Sequence, residues 1–175
     1  MPTLTLEKTT TLALEGSKNL SPEDAAALEY WIADNPSDLD GRIKLIGFYF
    51  LRWFQDSDAA AARIRHVLWV IANVPESYIA GMPFANISAS AQPDAYNQAK
   101  TQWLDHVDRR PENPTIIKHA AQFFRTEDHS VVERLLQMGQ ALEPENGDWV
   151  YQRGFLRYLQ LIATPHYPCT FGKMR

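Results

Sequence analysis

An all-α fold built from antiparallel helical hairpins is predicted by three features of the chain. Capping residues followed by proline recur ahead of apolar runs, as in Ser21-Pro22 and Asn113-Pro114. The apolar positions inside those runs return with helical spacing, and no convincing sheet pattern occurs. Prolines also stand at regular joints between the runs. The chain has 175 residues, of which 45% are apolar, enough for one domain with a sizeable core and too much apolar content for wholesale disorder.

The first stretch, residues 3–14, mixes Thr and Leu loosely and reads as a short strand or an extended arm, so residues 1–20 are assigned to an N-terminal arm. Ser21-Pro22-Glu23-Asp24 then opens a helix from Pro22 to about Ala33, with a capping hydroxyl, proline in the first turn and acids at the positive end of the dipole. Asn35-Pro36 stops it, and Ser37 or Asp38 caps a second helix running through Phe54. A third helix, Ala59 to Asn73, puts Ala60, Ile64, Val67, Leu68 and Ile71 on its core stripe, with Arg63 and His66 towards the edges.

Residues 74–92 break the pattern with Pro75, Gly81 and Pro83, and form an irregular loop. Helix returns at Pro93 to about Arg109, again from Pro114 to Phe124, from Asp128 or Ser130 to Leu142, and after Asn146-Gly147-Asp148 to Ile162. The expected architecture is about seven helices in a single domain over residues 21–162, followed by a C-terminal tail, 163–175.

Alignment on Pro36, Pro111 and Pro144 reveals an internal repetition. Ile117, Ala120, Ala121 and Phe124 follow Pro111 at the spacing at which Val150, Arg153, Gly154 and Arg157 follow Pro144. With one extra residue in the turn, Ile43, Ile46, Gly47 and Phe50 follow Pro36. Pro111 and Pro144 are 33 residues apart. This resembles the tetratricopeptide repeat, a helical hairpin of about 34 residues with small residues where its helices cross and a closing proline. Gly139 and Ala141 fit the same role, whereas Arg153 and Arg157 depart from it. The resemblance covers residues 28–54 and 103–162 and implies hairpins stacked into a short right-handed superhelix. A plain bundle with prolines at its turns is the competing architecture.

In such a stack the first helix of each hairpin would line a groove. The positions facing it are Lys44, Phe48 and Leu51 in the first unit, Lys118, Gln122 and Arg125 in the second, and Tyr151, Phe155 and Tyr158 in the third. Gly41, Thr115 and Asp148 extend the same rows. The face is cationic in the middle and aromatic at one end, and suits a protein or peptide segment carrying acids and apolar anchors. The competing assignment puts Phe48, Leu51, Phe155 and Tyr158 in the core and leaves the cations as ordinary surface. The carboxylate clamp of co-chaperone repeats is approached only by Lys118 and Gln122 and is not supported.

Catalytic signatures are missing: no His-Glu-x-x-His, no Gly-x-Ser-x-Gly and no glycine-rich phosphate loop occurs. No cofactor or metal is expected, and His166 with Cys169 supplies two ligands at most. The irregular loop is the alternative place for chemistry. Its Glu76, Ser77, Tyr78, Met82 and Phe84 could roof a small-molecule pocket of an enzyme or binding protein, or merely plug a gap beside the helices. Self-association in a symmetric homodimer is a third reading.

The net charge of −4 gives no general attraction for nucleic acid. Residues 1–20 lack the unbroken apolar core of a secretory signal, and the most apolar stretch, Leu39 to Phe54, is interrupted by four charges and is too short to cross a bilayer. The single cysteine, Cys169, forbids an internal disulfide and fits a reducing, cytoplasmic setting.

Overall fold

The computed structural model describes residues 4–163. Among them the chain is all-α, with eight helices: α1 (Leu6–Asn19), α2 (Pro22–Asp34), α3 (Leu39–Phe50), α4 (Ser57–Asn73), α5 (Pro93–Arg109), α6 (Pro114–Phe124), α7 (His129–Leu142) and α8 (Gly147–Ala163). Two short 3-10 turns, Tyr78–Gly81 and Pro83–Ala85, lie between α4 and α5. Each helix from α2 onward packs on the next in sequence, and α1 packs on α3.

Most starts are where the caps place them. The side chains of Ser21, Asp38, Asp56, Asn113 and Asp128 accept hydrogen bonds from the first free backbone N–H groups of their helices. Asp128, not Ser130, caps α7, and the Ser130 hydroxyl donates to Asp128 Oδ1. The helix expected to continue to Phe54 ends at Phe50, and a turn follows.

The N-terminal region corrects the expectation of a strand or extended arm: residues 6–19 are helical, which is why the helices number eight rather than seven. Thr5 caps the helix by accepting from the Lys8 N–H, and the hydroxyls of Thr9 and Thr10 donate to the carbonyls four residues back. Thr9, Leu12, Ala13, Gly16 and Ser17 form the buried stripe. That stripe has the helical period, and the loose Thr/Leu alternation that suggested a strand does not bury one face.

α1 and α3 run parallel at very close range, with Lys8 paired to Asp40 at 2.9 Å near the start of both helices. Gly16 sits on the Lys44 carbonyl and Gly47 on the Ala13 carbonyl, so near that a Cβ at either glycine would fall well inside van der Waals contact with backbone. Gly47, expected at the crossing of a sequence-adjacent hairpin, therefore serves the α1–α3 contact instead. Gly139 does lie at a hairpin crossing, beneath the ring of Trp149, whereas Gly154 has open space around it.

A side-chain network ties α2, α3 and α4. Glu29 Oε1 accepts from the Tyr49 hydroxyl at 3.0 Å, from Arg65 Nη2 at 3.0 Å and from His66 Nε2 at 2.9 Å. Arg42 Nη1, which can only donate, reaches His66 Nδ1 at 3.1 Å, and its guanidinium lies 4.0 Å from the centre of the Trp69 ring. The α4 stripe is turned accordingly: Ala59, Ala62, Arg63, His66, Val67, Val70 and Ile71 are buried, while Ala60, Ile64 and Leu68 are only partly so. Arg63 and His66, expected at the edges, are inside because both find hydrogen-bond partners there.

The 74–92 loop fills space between α1, α4 and α6. Its buried apolar residues are Ile79, Ala80, Ala85 and Ile87. Ring and guanidinium groups from three helices hold its backbone and the end of α4: Arg63 donates to the Phe84 and Asn86 carbonyls, His106 to Ile71 and His119 to Pro75. The loop plugs a gap, then, with Met82 and Phe84 partly buried against the same core, while Tyr78 is 40% exposed. The expected tail, with His166 and Cys169, lies outside the described residues.

Candidate functional site

α6 buries Ile116, Ile117, Ala120, Ala121, Phe123 and Phe124, and this wide apolar face leaves Thr115, Lys118, Gln122 and Arg125 along the outer side. Two depressions flank that row on adjacent faces of the helix. The larger, about 500 Å³, combines Thr115, Lys118, His119 and Gln122 with Glu76, Tyr78 and Met82 of the loop and Leu6 of α1. The smaller, about 260 Å³, has an apolar floor of Ala121, Val132, Leu136 and Leu156 and a rim of Arg125, Tyr151, Gln152 and Phe155. Two sets of residues singled out separately in the sequence, the loop candidates and the α6 row, thus meet at one place.

Charge along the row is unevenly compensated. Lys118 Nζ lies 3.3 Å from Asp148 Oδ2, which joins α6 to α8, and Glu76 pairs with Arg110 at 2.7 Å. Arg125 is exposed and has no carboxylate partner among the described residues. It is the open cation of this face, and it stands at the mouth of the apolar well.

His119 is the group in the larger depression with the most defined state. Its Nδ1 lies 2.9 Å from the Pro75 carbonyl, which can only accept, so Nδ1 carries the proton and Nε2 keeps its lone pair. Burial lowers the His119 pKa and outweighs the carbonyl bond that raises it. The ring is therefore neutral at pH 7 and presents an acceptor. An NMR titration should show His119 titrating below an ordinary histidine, with the Nδ1–H tautomer. Because its folded pKa is depressed, its contribution to stability is complete above about pH 6.5 and falls as the pH drops below that value.

The first unit of the expected groove is corrected. Phe48 is only 5% exposed and belongs to a core cluster with Ala25, Ile32 and Leu45 between α2 and α3. Lys44 pairs with Glu15 of α1 at 3.3 Å, and Leu51, though exposed, lies in the turn after α3. α3 is covered by α1 on one side and α2 on another, so it offers no open row. The third unit is exposed: Tyr151 is 74% and Tyr158 58% accessible, with Phe155 at 41%. Ser77 is buried, and its hydroxyl has no hydrogen-bond partner among the described residues.

Sequence reasoning missed His119, Leu6, Val132 and Leu136 as parts of these depressions. The only signal for His119 was its position beside Lys118 on α6. Leu6 arrives from a region read as an arm. Among the described residues, no three or more His, Cys, Asp or Glu side chains are grouped to hold a metal ion, and no helix is long and apolar enough to cross a membrane. In comparisons with protein-family models, curated proteins and solved structures, nothing matches this chain.

Proposed function

We propose that the chain is an interaction module of tetratricopeptide-like hairpins that holds an acidic protein segment across α6 and α8. The observation that carries this reading is Arg125, an exposed cation without a carboxylate partner among the described residues, beside an apolar well framed by Tyr151 and Phe155. The well has room for one large apolar side chain, and rigid aromatic walls give contact area at low entropic cost. An acid next to that anchor meets Arg125, and a second one or two helical turns away meets Lys118. The one cysteine supports a cytoplasmic setting for such a module.

Selection from a random peptide library should enrich segments with Asp or Glu close to Leu, Phe or Trp. Arg125→Glu should weaken the selected peptides by about tenfold or more, and Tyr151→Ala by a similar factor, as read by calorimetry. Peptides that bind Arg125→Glu as well as the parent would overturn the assignment. If sedimentation instead shows a dimer that Tyr151→Ala breaks, the aromatic face serves self-association.

A second reading is favoured by the neutral His119 acceptor in the larger depression, which suits a small molecule that donates a hydrogen bond. Its mark would be ligand binding lost in His119→Phe and retained in Arg125→Glu.

A further inference from the structure

Away from α6, a well of about 320 Å³ opens between the end of α3, α4 and residues 83–92, and Arg63 is part of its wall. That volume is at the small end of the roughly 300–1,000 Å³ of ligand pockets. Arg63 is 2% exposed and has no carboxylate partner among the described residues. Nε donates to the Phe84 carbonyl at 3.2 Å, and Nη2 donates to Phe84 at 2.9 Å and to Asn86. These bonds occupy the Nε and Nη2 side of the guanidinium and leave the Nη1 N–H groups without an acceptor among the described residues. The rings of Phe50 and Trp53 lie 5.5 and 5.9 Å from the guanidinium carbon and also line the well.

Carbonyl dipoles and aromatic faces soften the cost of this buried charge, but they do not neutralise it, and buried charges are ordinarily paired. A second unsatisfied group belongs to the same wall: Gln92 Oε1 is buried and accepts from nothing among the described residues. The wall therefore combines a cation with spare donors, two aromatic plates and an acceptor that lacks a donor. Glu127, its one acidic lining residue, makes no ion pair with Arg63.

We propose that this well binds small hydroxylated aromatic carboxylates, the carboxylate on Arg63 Nη1, the ring against Phe50 and Trp53, and the hydroxyl donating to Gln92. The site is separate from the α6 groove, and its success or failure leaves that reading untouched.

The test is an NMR titration of the full chain with 3- and 4-hydroxybenzoate. Saturable shifts of the Trp53 indole N–H and the Gln92 side-chain amide are expected, with benzoate weaker and phenol weaker still. Arg63→Lys should weaken binding by about tenfold or more, since a charge-assisted bond is lost from its place. Because Arg63 also holds the Phe84 and Asn86 carbonyls, two variants that leave it intact guard against misfolding. Ser88→Trp should block the well, and Glu127→Gln should tighten the carboxylate probes by about two- to threefold by removing a repelling charge. No saturable shift at millimolar probe, or binding unchanged by both Ser88→Trp and Glu127→Gln, would overturn the proposal.

Discussion

Replacing Gly47 by alanine should destabilise the protein by about 3 kcal/mol or more, although alanine is the better helix former by about 1 kcal/mol. The added methyl would press on the Ala13 carbonyl, which is backbone and cannot rotate away. α1 would have to separate from α3, and with it the burial of Leu12 and Ala13 would be compromised. Gly16→Ala should act alike against the Lys44 carbonyl. The double variant should cost less than the two singles together, because either methyl alone opens the same seam. Gly154→Ala is the control, being helical and exposed with open space about it, and should stabilise by about 0.5–1 kcal/mol. Urea unfolding of the four variants checks both signs. A stabilised Gly47→Ala would show that α1 and α3 do not meet backbone to backbone at this seam.

Glu29→Gln should flatten the acid limb of the stability curve. Burial works to raise the Glu29 carboxyl, but donation from His66 and Tyr49 and the charge of Arg65 overcome it and bring the pKa from 4.5 to about 2. A carboxyl with a depressed folded pKa contributes stability that is complete above its unfolded value. That contribution, about 3 kcal/mol, disappears as the pH falls from 4.5 towards 2. The variant keeps the size of the side chain but turns one acceptor of three donors into a neutral amide, and should lose about 2–3 kcal/mol at pH 7. Parent and variant should then converge near pH 2, as followed by urea unfolding at several pH values. A parent whose stability stays level from pH 4.5 to 2 would show that this network does not govern acid unfolding.

Both expectations concern places that local pattern could not reveal. Helix type, and nearly every helix start after residue 20, were legible because capping and proline stereochemistry act within one turn, as at Ser21-Pro22 and Asn113-Pro114. The α6 row was legible for a related reason: its strongly one-sided apolar stripe leaves only one face for Lys118, Gln122 and Arg125. α1 was misread because its Thr and Leu residues are ambiguous in period until α3 supplies the surface that selects the helical one. Phe48 was misplaced because its exposure depends on α2 folding over α3, a contact between segments with no mark in either.

What the amino-acid order determined by itself is the list of rods, their ends, and the polar and apolar sides of α6. Those properties follow from bonds and steric limits between residues a few positions apart. Only the tertiary structure decided that Gly16 and Gly47 bring α1 onto α3, that Arg63 and His66 are interior, and that the loop forms one wall of the larger depression beside α6. Each depends on which surfaces meet across long sequence separations, where burial and partner geometry set the free energy of a side chain.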